Sequence, residues 1–108
     1  MITRILLVVF CAGFAANAAS QGKAALGETV YADQKCSVCH SIGDKGNKKG
    51  PLDGVSSKLS EADIRAWITD AKGMTAKTKA TRKPEMKAYS LSKDDVDSLV
   101  EYLQSLKK

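Results

Sequence analysis

The sequence predicts an all-α fold of three main helices, and three observations carry that reading. Apolar residues recur at helical spacing in three separate stretches, two of those stretches open on a Ser followed three residues later by an Asp, and no stretch alternates polar with apolar residues as a strand would. The chain has 108 residues, enough for one domain. A chain of this size buries only about 60 to 65% of its unfolded surface, so its core is marginal without a staple.

The opening segment sets its own boundary. Met1-Ile2-Thr3-Arg4 is followed by a run from Ile5 to Ala16 without charge and then by Ala16-Asn17-Ala18, which reads as a small-residue cleavage site. Residues 1–18 are therefore expected to be a secretory signal peptide and residues 19–108 the mature domain, placed in the periplasm. The apolar run is shorter than the roughly 20 residues that span a bilayer, so a retained anchor is the weaker alternative and no membrane insertion is expected after cleavage. Cys11 leaves with this segment, as do Phe10 and Phe14. The mature domain keeps Tyr31, Trp67, Tyr89 and Tyr102 as its aromatic residues.

The first helix is expected from about Ala24 to Lys35, with Leu26, Val30 and Tyr31 in phase and Gly27 one turn before Tyr31. A Gly inside a helix costs about 1 kcal/mol against Ala, which calls for a reason such as the close approach of another helix. From Ser41 to Pro51 the chain is rich in turn residues, among them Gly43, Gly46 and Gly50, and reads as a loop. The second helix starts at the Ser60 cap with Asp63 in the matching position, sets Ile64, Trp67, Ile68 and Ala71 on one face, and is expected to stop at Gly73. Met74 to Pro84 carries Lys77, Lys79, Arg82 and Lys83 without an acid and reads as an exposed basic loop. The last helix opens on Ser92 with Asp95 and aligns Val96, Leu99, Val100, Leu103 and Leu106 up to Lys107 and Lys108.

Between the first helix and the loop stands Cys36-Ser37-Val38-Cys39-His40. A C-x-x-C-H run is the attachment signature of a c-type haem. Two thiols three positions apart can each form a thioether to one haem vinyl group, which leaves the imidazole of His40 beneath the iron as proximal ligand. A redox dithiol shares the C-x-x-C but belongs in a βαβ setting. A zinc site needs four ligands, and outside the leader only Cys36, Cys39 and His40 are on offer. A haem would also serve as the core that so short a chain lacks. For the sixth ligand the mature chain offers Met74 and Met86. Met86 is favoured because Pro84 restricts the approach of its loop and because the Ser92 cap anchors the loop six residues on. The phase of Trp67 predicts burial, with its indole N–H either bonded to a haem propionate or simply packed in the core.

The whole mature sequence resembles the class I cytochrome c family of bacterial type. Gly27 and Tyr31 match the family's small and aromatic positions where the first helix crosses the last, and Tyr102 matches the aromatic partner. Gly50-Pro51-Leu52 resembles the loop whose Pro carbonyl accepts a hydrogen bond from the proximal His. Trp67-Ile68 is similar to a pair beside the haem, and Lys83-Pro84-Glu85-Met86 resembles the axial Met loop, with Lys87 standing where many relatives have Pro. The resemblance implies a cytochrome c fold of three helices around one covalent haem, held by Cys36, Cys39, His40, Pro51, Trp67 and Met86, with His40 and Met86 on the iron.

Such ligation closes both faces of the iron and leaves electron exchange as its chemistry, and sulfur ligation raises the potential. A soluble, monomeric electron carrier is therefore expected rather than an enzyme. The alternative is a five-coordinate haem enzyme or sensor, for which the chain has no second His. The formal net charge of +5 falls to +4 without Arg4. Lys45, Lys48 and Lys49 on one side, with Lys77, Lys79, Arg82, Lys83 and Lys87 toward the Met loop, suggest a rim that steers docking to acidic redox partners. Export argues against nucleic acid.

Overall fold

A computed structural model of the protein describes residues 15–107, with side chains from Gly22 onward. The charged start of the expected leader and most of its apolar run lie outside the described residues. Four helices are described: α1 (Ala15–Asp33), α2 (Glu61–Thr69), α3 (Ala71–Thr78) and α4 (Lys93–Ser105). None of them is long and apolar enough to cross a membrane. Short 3₁₀ turns occupy Cys36–Val38 and Val55–Ser57.

The fold depends on the crossing of α1 and α4. A Cβ placed on Gly27 would sit 2.6 Å from Cβ of Tyr102 and closer still to the Ser98 carbonyl, so the two backbones meet where only a hydrogen atom fits. One turn further along, the rings of Tyr31 and Tyr102 pack edge to face, with centroids 5.8 Å apart and planes at 62°. Such aromatic pairs add about 0.5–1.5 kcal/mol beyond the area they bury. Val30, Tyr31, Leu99, Val100 and Leu103 form the buried seam. Leu26, expected in that seam, is 61% exposed. At 100° per residue, the buried stripe runs through Gly27, Val30 and Tyr31 and leaves Leu26 about a quarter turn to one side.

Helix α1 already spans Ala15 to Lys23, ahead of the expected start at Ala24, because this Ala-rich stretch favours helix strongly. Ser60 and Ser92 cap α2 and α4 as expected, each side chain accepting the N–H of the Asp three positions on at 3.1 Å. The predicted stop at Gly73 is not observed. The chain breaks instead at Asp70, which ends α2 and whose carboxylate accepts the Gly73 N–H at 3.2 Å to begin α3. An Asp cap outweighs a Gly as punctuation here, since Asp is among the strongest N-cap residues. Ala71 and Met74 then bury on one face of α3, so the first part of the expected basic loop is helical up to Thr78.

The predicted loop after His40 holds a small hairpin. Strands β1 (Ser41–Ile42) and β2 (Lys45–Gly46) pair antiparallel, with Ser41 opposite Gly46. Two-residue strands fall below what sequence alternation can reveal. The remaining loop, from Lys79 to Leu91, is tied to the helices by the Tyr89 N–H, which donates to the Ile68 carbonyl at 3.0 Å. Arg65 links α2 to α4 through Asp97 at 2.7 Å and also reaches Glu61 at 3.5 Å.

The crossing yields the first prediction. Gly27→Ala forces Cβ into the Ser98 backbone and should destabilise the protein by about 1–3 kcal/mol, the range for overpacking. Denaturant unfolding measures it, and an unchanged midpoint would mean that the helices separate without cost.

Candidate functional site: a cavity around Cys36, Cys39 and His40

After α1, Lys35 adopts a left-handed conformation with φ of 56°, which turns the chain into the 3₁₀ segment bearing the two cysteines. The Cys36 carbonyl accepts N–H bonds from Cys39 at 3.1 Å and His40 at 2.9 Å. That turn gathers both thiols and the imidazole onto the wall of one cavity. Its volume is about 680 Å³, within the range of cofactor sites.

The wall is mostly apolar. Leu52, Val55 and Leu59 come from the loop after the hairpin, Ile64 and Ile68 from α2, and Leu99 and Leu103 from α4. Trp67 and Met86 also border it. Trp67 is half-buried rather than fully buried, and it lines this space without joining the packed core. Met74 is buried in α3 and does not belong to the cavity wall. Of the two candidate thioethers, the structure therefore brings Met86 to the space that holds His40.

His40 is oriented by the backbone. Its Nδ1–H donates to the Gly50 carbonyl at 3.0 Å, an oxygen that also accepts the Ser41 N–H at 3.0 Å. The acceptor expected from the sequence was the Pro51 carbonyl. The short parallel bridge between Ser41 and Pro51 shifts the contact back by one residue, and Pro51 itself is exposed and off the cavity wall. Gly50 has no room for a side chain: its Cβ would lie 2.9 Å from His40 Nδ1 and closer to the Cys39 carbonyl and the Arg82 guanidinium. Burial lowers the His40 pKa, the hydrogen bond to Gly50 opposes that, and the Arg82 cation adds to the lowering. The imidazole is thus held neutral with Nδ1 occupied, which leaves Nε2 free as a metal ligand.

Burial pushes the Cys36 thiol up, the opposite of the depressed thiol that a redox dithiol needs. Among the described residues, no three His, Cys, Asp or Glu side chains converge to hold a bare metal ion. Tyr31 lines the cavity, and its hydroxyl is buried without a hydrogen-bond partner among the described residues. Two thiols, a neutral imidazole and a thioether around a large apolar space fit a covalently attached haem. Neither the Gly50 carbonyl nor the reach of Arg82 was apparent from the sequence, because both depend on how the loops fold back over the His40 turn.

The family profile described as Cytochrome c matches residues 24–107. Among curated relatives, the chain is similar to cytochrome c oxidase subunit 2 of Alkalihalophilus pseudofirmus, at 28% identity over 90 residues. That match covers 75% of this chain and 25% of the relative, so the chain spans about a quarter of that protein's length. No solved structure matches the chain.

Burial raises the Tyr31 pKa from 10.0 to about 12. The folded state therefore favours the neutral phenol, a contribution that is complete below about pH 10 and lost as pH rises through about 12. Denaturant midpoints measured against pH should fall more steeply over that window for the wild type than for Tyr31→Phe. Parallel curves would place the Tyr31 hydroxyl in water.

Proposed function

The chain belongs to the cytochrome c family, whose function is haem-based electron transfer, and from that premise we propose that it carries one electron at a time on a single covalent haem. In this reading Cys36 and Cys39 hold the haem by thioethers and His40 and Met86 ligate the iron. The carrying observation is that His40, both thiols and Met86 border one cavity while Met74 does not. When bound, the haem supplies an iron that alternates between ferric and ferrous states.

The residues around it do the rest. His40 presents Nε2 because Gly50 engages Nδ1. The Tyr89 bond to Ile68 limits the excursion of the Met86 loop, so a thioether can return to the same place in both oxidation states. The apolar walls exclude water, which disfavours the extra positive charge of the ferric form and, with the thioether, raises the potential. With His40 and Met86 both holding the iron, the site would exchange electrons and would not bind substrates. Trp67 contributes ring contact at the cavity wall. The leader-like opening supports export to the periplasm, and the likeness to an oxidase subunit supports a place near a terminal electron acceptor.

Optical spectroscopy tests the ligand set. The exported protein should give a haem c pyridine haemochrome and a weak near-infrared sulfur-to-iron band, with Met86→Ala abolishing the band and lowering the potential. Met74→Ala should keep the band and instead cost about 2–5 kcal/mol of stability, as buried Met truncations do. Loss of the band in Met74→Ala alone would move the ligand to α3.

The docking partner is proposed to be acidic. Lys48 and Lys83 are partly offset by Asp44 at 3.8 Å and Glu85 at 2.8 Å, which leaves Lys45, Lys49, Lys77, Lys79, Arg82 and Lys87 as the cations of the rim without an ion-pair partner among the described residues. Stopped-flow electron transfer with an acidic redox protein should slow markedly as ionic strength rises from about 10 to 200 mM, because the screening length falls from about 30 Å to under 10 Å. A rate that stays constant would remove the steering role.

A further inference from the structure

We propose that Arg82 is a positioning residue of the electron-transfer site, clasping the loop that carries Met86 to the Cys36–His40 turn and holding a cation beside His40. This rests on the electron-carrier reading above.

Arg82 and Met86 lie four residues apart on the same loop, yet they serve different parts of the site. From that loop, Nη2 of Arg82 donates to the Cys39 carbonyl at 2.5 Å. Its other terminal nitrogen packs against Gly50, whose carbonyl holds the His40 ring. Arg82 thereby joins the segments that carry the two ligands, and it does so at the carbonyl between the second cysteine and the His. The side chain borders both the main cavity and a second cleft of about 580 Å³ formed with Val38, Asn47, Lys49 and Thr81. Among the described residues no carboxylate pairs with it, so its charge is not cancelled locally.

Two consequences follow from ordinary electrostatics. A bond from a charged donor to a carbonyl resists displacement of the loop, and with it displacement of the Met86 sulfur. A fixed cation near the iron also favours whichever oxidation state carries one less positive charge. In the transfer step a donor is oxidised by one electron and the iron is reduced from ferric to ferrous, with no bond made or broken. Arg82 therefore shifts that equilibrium toward ferrous. Because Arg82 is largely exposed, solvent screening keeps the effect small.

Two variants separate the charge from the clasp. Arg82→Gln removes the cation and should shift the ferric-to-ferrous ratio at fixed potential about threefold toward ferric, which is about 28 mV at 59 mV per decade. Arg82→Lys keeps the cation but not the fork, and its potential should remain close to wild type. Both should bind imidazole at the ferric iron about fivefold more tightly, since the loop yields more easily when one hydrogen bond is lost. Wild-type values of potential and imidazole affinity in Arg82→Gln would overturn the proposal while leaving the electron carrier intact, and so would an equal drop in potential in both variants. A wild-type protein without covalent haem would overturn the carrier reading and this proposal together.

Discussion

The chain cannot close its own core. Its helices meet in one seam along α1 and α4, and beyond that seam the apolar side chains of α2, α4 and the connecting loops face a space of about 680 Å³. Apolar surface left against water forgoes about 25 cal/mol for every Å², so the walls of that space gain most when something flat and apolar lies between them. Cofactor and fold are therefore one problem in this protein. Residues that would be packing in a larger domain, such as Leu52, Val55, Ile68 and Leu103, are site residues here.

The polar groups are placed to suit such an occupant without weakening the walls. His40 reaches the cavity as a neutral ring because a backbone carbonyl holds one of its nitrogens, which avoids burying an imidazolium in an apolar setting. The thiol of Cys36 stays protonated for the same reason. Tyr31 serves twice: its ring builds the helix crossing with Tyr102, and its side chain also lines the cavity. Structural and chemical demands meet in single residues because a domain of this size has few to spare.

Local chemistry was the part legible in the sequence. Cys36, Cys39 and His40 are defined by their spacing, the Ser60 and Ser92 caps by a three-residue offset, and Gly27 by its cost inside a helix, and all appear where expected. Met86 borders the cavity that His40 lines, and Met74 does not. Features decided by competition between nearby signals were not legible. Asp70 caps a new helix three residues before the Gly expected to end the old one, the hairpin is too short to show a period, and the Trp67 phase could not distinguish a packed face from a cavity face. The acceptor for His40 depended on loop register, where one residue separates Gly50 from Pro51.

The crossing at Gly27 also bears on the order in which the protein assembles. Its two sides come from the first and last of the described helices, with the Cys36–His40 turn and the Met86 loop between them. Contacts so far apart in sequence close a long loop, and the entropy of that closure slows their formation. Until α4 has been synthesised and has found α1, the Cys36–His40 turn sits on an open chain. A single hydrogen atom in place of a methyl group at residue 27 is what lets the helices on either side of that turn close on each other.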